Sequence, residues 1–164
     1  MKQLFSTISL AVLSVFTATA QPAPKPIYYV ISFPNAAHHE AEITMTLPQA
    51  PIGVLHFRMS RSSAGRYATH EFGKNIYNVK AFNVDGSPLA LTQVQGDAYD
   101  IGVEHGQVVK ISYTLFGNWT DGTYTGIDPS HAHLNMPATF MWVNGQDERP
   151  IKIEFDDLKN MAGR

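Results

Sequence analysis

From residue 27 onward the chain is written in short apolar runs that alternate with polar positions. Residues 27–33 (Ile-Tyr-Tyr-Val-Ile-Ser-Phe) are rich in β-branched and aromatic side chains and stop at Pro34-Asn35. Similar runs occupy residues 40–47, 54–59, 76–83, 89–94, 98–103, 108–116, 139–143 and 151–155. Pro48, Asp85-Gly86 and Asn144-Gly145 punctuate them. Successive side chains of a strand point to opposite faces, so each run is read as a strand that buries one face. In residues 76–83 this alternation sets Tyr77, Val79 and Ala81 on one face and Ile76, Asn78 and Lys80 on the other. Short strands with frequent turns predict an all-β fold, an antiparallel β-sandwich. Two stretches break the pattern, residues 58–74 and 117–137, and are expected to be long loops. One helical turn is expected at residues 71–76.

The first twenty residues follow a different rule. Lys2 precedes an uncharged, mostly apolar run over residues 4–16, and Ala18-Thr19-Ala20 follows. A positive start, an apolar middle and a small-residue cleavage site are the order of a secretory signal peptide. The run is too short for a membrane span, which needs about 20 apolar residues. The expected organisation is a signal peptide at 1–20, a Pro-rich leader at 21–26, a β domain at 27–157 and a tail at 158–164. The mature chain is expected to be exported, periplasmic or secreted, with no membrane span once the signal is removed.

Composition narrows the function classes. The 164 residues are 44% hydrophobic and 16% charged, with a net charge of -2. That charge gives no reason to expect nucleic acid as a partner, because phosphate binding rewards clustered Lys and Arg. There is no cysteine, which excludes disulfides, thiol catalysis and thiolate-bound zinc.

Seven histidines are the chief candidates for chemistry. His131-Ala132-His133 puts two imidazoles on one side of an extended segment, with Asp128 three residues upstream. Asp128, His131 and His133 are therefore a weak candidate metal set. The preferred reading is that they hold an irregular loop together by hydrogen bonds. His38 and His39 face opposite sides of a strand start and are read as a solvated edge. His56 and His105 receive no role. His70-Glu71 opens like the zinc-protease helix motif, but position 74 is Lys where a second His is required. No Gly-x-Ser-x-Gly elbow and no phosphate loop occurs either. No catalytic residue is assigned.

Two loop segments are more specific than any of these motifs. Residues 61–75, Arg-Ser-Ser-Ala-Gly-Arg-Tyr-Ala-Thr-His-Glu-Phe-Gly-Lys-Asn, resemble a segment of the M61 metallopeptidases, the glycyl aminopeptidase family. Residues 121–142, from Asp-Gly-Thr-Tyr-Thr-Gly to Ala-Thr-Phe-Met-Trp, resemble that family's second N-terminal segment more closely. Ala64 stands where the family often has Pro. The resemblance covers the chain from about residue 27 to 155.

The resemblance implies a part of such an enzyme: the N-terminal β domain, without the zinc domain that carries the H-E-x-x-H helix and without the PDZ domain that often follows. Zinc would belong to the missing or separately encoded catalytic domain, so no cofactor is expected in this chain. The partner implied is that catalytic domain, with a peptide substrate only in its presence. The 124–137 loop is expected to face the partner or the substrate's amino end through Tyr124, Asp128, His131, His133 and Asn135. A bare apolar patch is expected near Leu134, Met136, Met141 or Trp142. The rival readings are a free-standing exported binding module and a small metalloprotein using Asp128, His131 and His133.

Overall fold

The computed structural model describes residues 23–104 and 106–156. The expected signal peptide, residues 21–22 of the leader, His105, Asp157 and the whole expected tail lie outside the described residues, and residues 23–26 of the leader have no regular structure. Twelve strands are described: β1 (Ile27–Ser32), β2 (Glu40–Leu47), β3 (Gly53–Arg58), β4 (Ile76–Phe82), β5 (Pro88–Leu89), β6 (Leu91–Gln95), β7 (Ala98–Val103), β8 (Val109–Phe116), β9 (Gly126–Ile127), β10 (Ala132–His133), β11 (Trp142–Val143) and β12 (Ile151–Phe155). One short helix, α1 (Met136–Thr139), and 3-10 turns at Ala36–His38 and Phe72–Asn75 complete the described elements. The second of these turns falls where one helical turn was expected.

A six-stranded sheet runs β12-β1-β2-β8-β4-β5, and a four-stranded sheet runs β11-β3-β7-β6. β9 and β10 form a small hairpin of their own. The two larger sheets share one core: Ile31, Ile43, Met45, Ile111, Tyr113 and Leu115 from the first meet Leu55, Phe57, Ile101 and Val143 from the second. Strand alternation explains why every second residue of β1, β2 and β8 is in that core.

Four expectations need correction. The fold is all-β, but it is not wholly antiparallel, since β1 and β12 pair in parallel. Residues 89–94 are not one strand: β5 belongs to the large sheet and β6 to the small one, so the chain changes sheets at Ala90. The alternation of 76–83 is interrupted at Asn78, which adopts a left-handed φ of 54° where the register shifts between Tyr77 and Lys80. That bulge turns Tyr77 outward and puts Ile76 and Ala81 together in the core.

Residues 139–143 are the fourth correction. Only Trp142–Val143 is strand. The backbone of Met141 is taken instead by two tyrosines. Its amide donates to Tyr113 Oη at 3.0 Å, and its carbonyl accepts from Tyr29 Oη at 2.7 Å. Tyr113 Oη also donates to the Thr139 carbonyl at 2.9 Å. These bonds draw Met141 into the core, where it is fully buried, so it is no part of an exposed patch. Burial raises both phenols far above their ordinary range, so they remain neutral donors.

Candidate functional site

The register places the distinctive loops at one end of the large sheet. β1 ends there at Ser32 and β2 begins there, with Glu40 opposite Phe116 at the end of β8. β4 also begins there, with Ile76 opposite Leu115. The β1–β2 turn, the segment before β4 and the loop after β8 therefore share one end of the molecule. They correspond to the region around His39, residues 61–75 and residues 117–135.

The two recognition segments interlock. Asn135 Nδ2 donates to Ser63 Oγ at 3.1 Å and to the Thr123 carbonyl. Thr139 Oγ1 donates to the Asn135 carbonyl at 2.9 Å and meets Thr125 Oγ1 at 3.0 Å. Asn135 is thus a clasp between loops, half-buried. Tyr124 sits between the segments too. Its ring stacks on Trp119 at 5.2 Å and meets Phe72 edge-on at 5.2 Å and His70 at 5.8 Å. His70 stacks on Phe72 at 5.0 Å and is buried. The ring that opened like a zinc-protease motif is a packing residue.

Asp128 organises the β9–β10 turn. Its Oδ1 accepts from the Ser130 amide and hydroxyl, both at 2.6 Å, and from the His131 amide at 3.0 Å. His131 Nδ1 lies 2.9 Å from Oδ2. The Ser130 hydroxyl foremost, then the backbone amides and His131, hold the Asp128 carboxyl down at about 2. A side chain that closes its own turn in this way is the usual Asx arrangement.

His131 and His133 are exposed beside this turn. They line a cavity of about 260 Å³ with His39, Trp119, Thr120 and Asp128. His39 belongs to the site although it reads as a solvated edge in the sequence. Its φ of 65° turns the ring inward, and Nδ1 meets the Ile127 carbonyl at 2.6 Å. Only the turn conformation reveals this, and no local motif signals it. His38 instead stays exposed, 2.7 Å from Asn35 Oδ1.

The cavity gathers Asp128, His131 and His133, while Tyr124 and Asn135 lie in the interlocked loops beneath. Among the described residues no three His, Asp or Glu side chains converge so as to hold a metal ion. Asp128 is already engaged by its own turn. The H-E-x-x-H residues of a zinc centre are absent from the sequence, so no step through zinc can be drawn.

A second cavity of about 260 Å³ lies before β4, lined by Arg61, Glu71, Lys74 and Asp97 among others. Its charges are paired. Arg61 grips Asp97 with Nε–Oδ2 and Nη2–Oδ1 both at 2.5 Å, and Lys74 pairs with Glu71. The Arg61 guanidinium keeps Asp97 below the usual carboxylate range. This is a brace between the first recognition segment and the β6–β7 turn. His56, given no role from sequence, makes a similar cross-strand pair with Asp100 at 2.7 Å.

Two sheets around one core, carrying interlocked loops at one end, define a two-sheet β domain. The sequence matches the Peptidase M61 N-terminal domain over residues 28–162, and the chain belongs to that family. No curated protein matches it. Among solved structures it is similar to an aminopeptidase N family protein from Idiomarina loihiensis, with a TM-score of 0.73 at 18% identity. That match covers 79% of this chain and 22% of the other. An M1 zinc metallopeptidase from Deinococcus radiodurans, solved with a tripeptide substrate, matches at a TM-score of 0.38 and 9% identity, over 60% of this chain and 21% of that one. The chain therefore spans about a fifth of the length of these structures.

Proposed function

We propose that this chain is a non-catalytic N-terminal β domain that packs on a peptidase domain and helps wall its cleft. The observation that carries this reading is the gathering of features at one end. Both recognition segments meet there, and β12 leaves the sheet there, with Phe155 opposite Ile31 and the Asp156 amide donating to the Ile31 carbonyl at 2.8 Å. The family match extends only to residue 162, six residues beyond Asp156. Six residues reach at most about 20 Å. A domain joined to this one just after residue 162 therefore starts within that reach of the loop end.

In that setting the exposed rings of His131 and His133, with Met136 beside them in the chain, face the partner. Tyr124, Asp128 and Asn135 hold the loop in shape. Zinc and peptide chemistry belong to the partner. Export of the mature chain after removal of residues 1–20, and the domain limits given above, are part of the same proposal.

The test is made in a complete family peptidase. Replacing the residues that match His131 and His133 by Ala is expected to raise KM or lower kcat for a glycyl substrate. Folding, followed by circular dichroism, should be unaffected. Unchanged turnover would remove the loop from the cleft.

A further inference from the structure

The far edge of the large sheet is not capped by another strand among the described residues. β12 is its last strand. Ile151, Ile153 and Phe155 lie opposite Ile27, Tyr29 and Ile31, so they share the core-facing side of the sheet. Yet Ile151 is 57% exposed and Phe155 46%. Trp142, 40% exposed, and Ile151 flank a cavity of about 220 Å³ floored by Ile27 and Tyr29. An exposed apolar edge strand is a template for another strand.

The backbone shows which residues are available. The Pro150 carbonyl and the Asp156 amide bond to β1. With a strand period of two, the amides and carbonyls of Ile151, Ile153 and Phe155 point to the free edge. We propose that this edge binds the same edge of a second copy of the chain, in an antiparallel pair centred on Ile153.

In that register Ile153 meets its own copy and Ile151 meets Phe155. All three edge-facing residues then exchange backbone hydrogen bonds, and their side chains merge into one apolar strip. On the outer face Lys152 meets Glu154 of the other copy, twice by symmetry. Both side chains are exposed, and Lys152 Nζ lies 5.8 Å from the Tyr28 ring centroid, within the same face. Sliding the pair by one step in either direction that keeps the faces matched sets Lys152 against Lys152 or Glu154 against Glu154. Like charges directly opposite are unfavourable. The sequence Ile-Lys-Ile-Glu-Phe is thus complementary to itself in one antiparallel register. An isologous two-fold contact of this kind closes on itself and does not propagate into fibres.

Of the three edge residues only Phe155 reaches the loop end, and self-association and peptidase binding are read by different measurements, so either proposal can fail without the other. The experiment is sedimentation equilibrium of the full exported chain at low salt. A five-residue strand pair is smaller than a standard interface, so the expected dissociation constant is about 1–100 μM. Lys152→Glu and Glu154→Lys, each alone, convert both charge pairs to repulsions and should weaken the dimer about tenfold. The double variant Lys152→Glu/Glu154→Lys restores opposite charges and should restore the dimer. Three outcomes overturn the proposal: a monomer throughout that range, in which case the edge is left to a peptidase domain; a dimer indifferent to both single reversals; or a double variant that stays as weak as the singles.

Discussion

Asp128 is the residue whose role changes most between sequence and structure. Its position beside His131 and His133 suggests a ligand, but its carboxylate spends its acceptor capacity on Ser130 and His131. The bonds favour the ionised form and lower its pKa from 3.8 to about 2. A carboxyl whose folded-state pKa is depressed adds stability above the unfolded pKa and loses it as pH falls through the folded one. Asp128→Ala is therefore expected to lower Tm at neutral pH. The gap from the parent should close as pH falls from about 4 to about 2. Glu40, Asp85, Asp97 and Asp121 are shifted the same way, so both proteins weaken in acid and the gap isolates Asp128. A pH-independent gap, measured by differential scanning calorimetry, would show that the turn does not depend on the carboxylate.

At the scale of elements, two places can be broken cleanly. Tyr113 is buried among β8 and the 139–141 segment, and Phe at this position leaves the Met141 amide and the Thr139 carbonyl short of a partner. Stranding buried backbone groups costs about 1–3 kcal/mol each, so Tyr113→Phe should destabilise by about 2–6 kcal/mol in urea titration. A loss under about 0.5 kcal/mol would mean that these groups find other partners. Gly73, in the 3-10 turn before β4, lies so close to the β6–β7 turn that a methyl group would stand 2.5 Å from Asp97 Cβ and 2.7 Å from its Cα. Gly73→Ala is expected to cost about 1–3 kcal/mol through overpacking. The same urea titration checks it, and full stability would mean that the two turns separate readily.

The elements also show how far the sequence could be read. β1, β2, β7 and β8 were legible because alternation is a local property of residues buried on one face, and β12 because Ile151, Ile153 and Phe155 alternate with Lys152 and Glu154 although that face is largely exposed. The parallel pairing of β12 was not, because it joins residues 27–31 to residues 151–155 across the whole chain. Nor were the Asn78 bulge and the strand loss at Met141 legible, since each depends on groups supplied from elsewhere. Asp128, His131 and His133, singled out by their spacing, line one cavity. The clasp from Asn135 to Ser63 and the inward turn of His39 are tertiary contacts that no spacing announces.

At the scale of the whole molecule, the chain is an M61-type N-terminal β domain, proposed above to pack on a peptidase domain. Its two larger sheets share one core, and its distinctive loops are braced from within by Asn135, Tyr124 and the Arg61–Asp97 pair. The most direct measurement is a calorimetric titration of this chain into a zinc-loaded M61 peptidase from which its own N-terminal domain has been removed. The account predicts a one-to-one complex, with a dissociation constant below about 100 μM, that weakens when His131 and His133 are replaced by Ala. No association at that concentration, with both proteins folded, would contradict it.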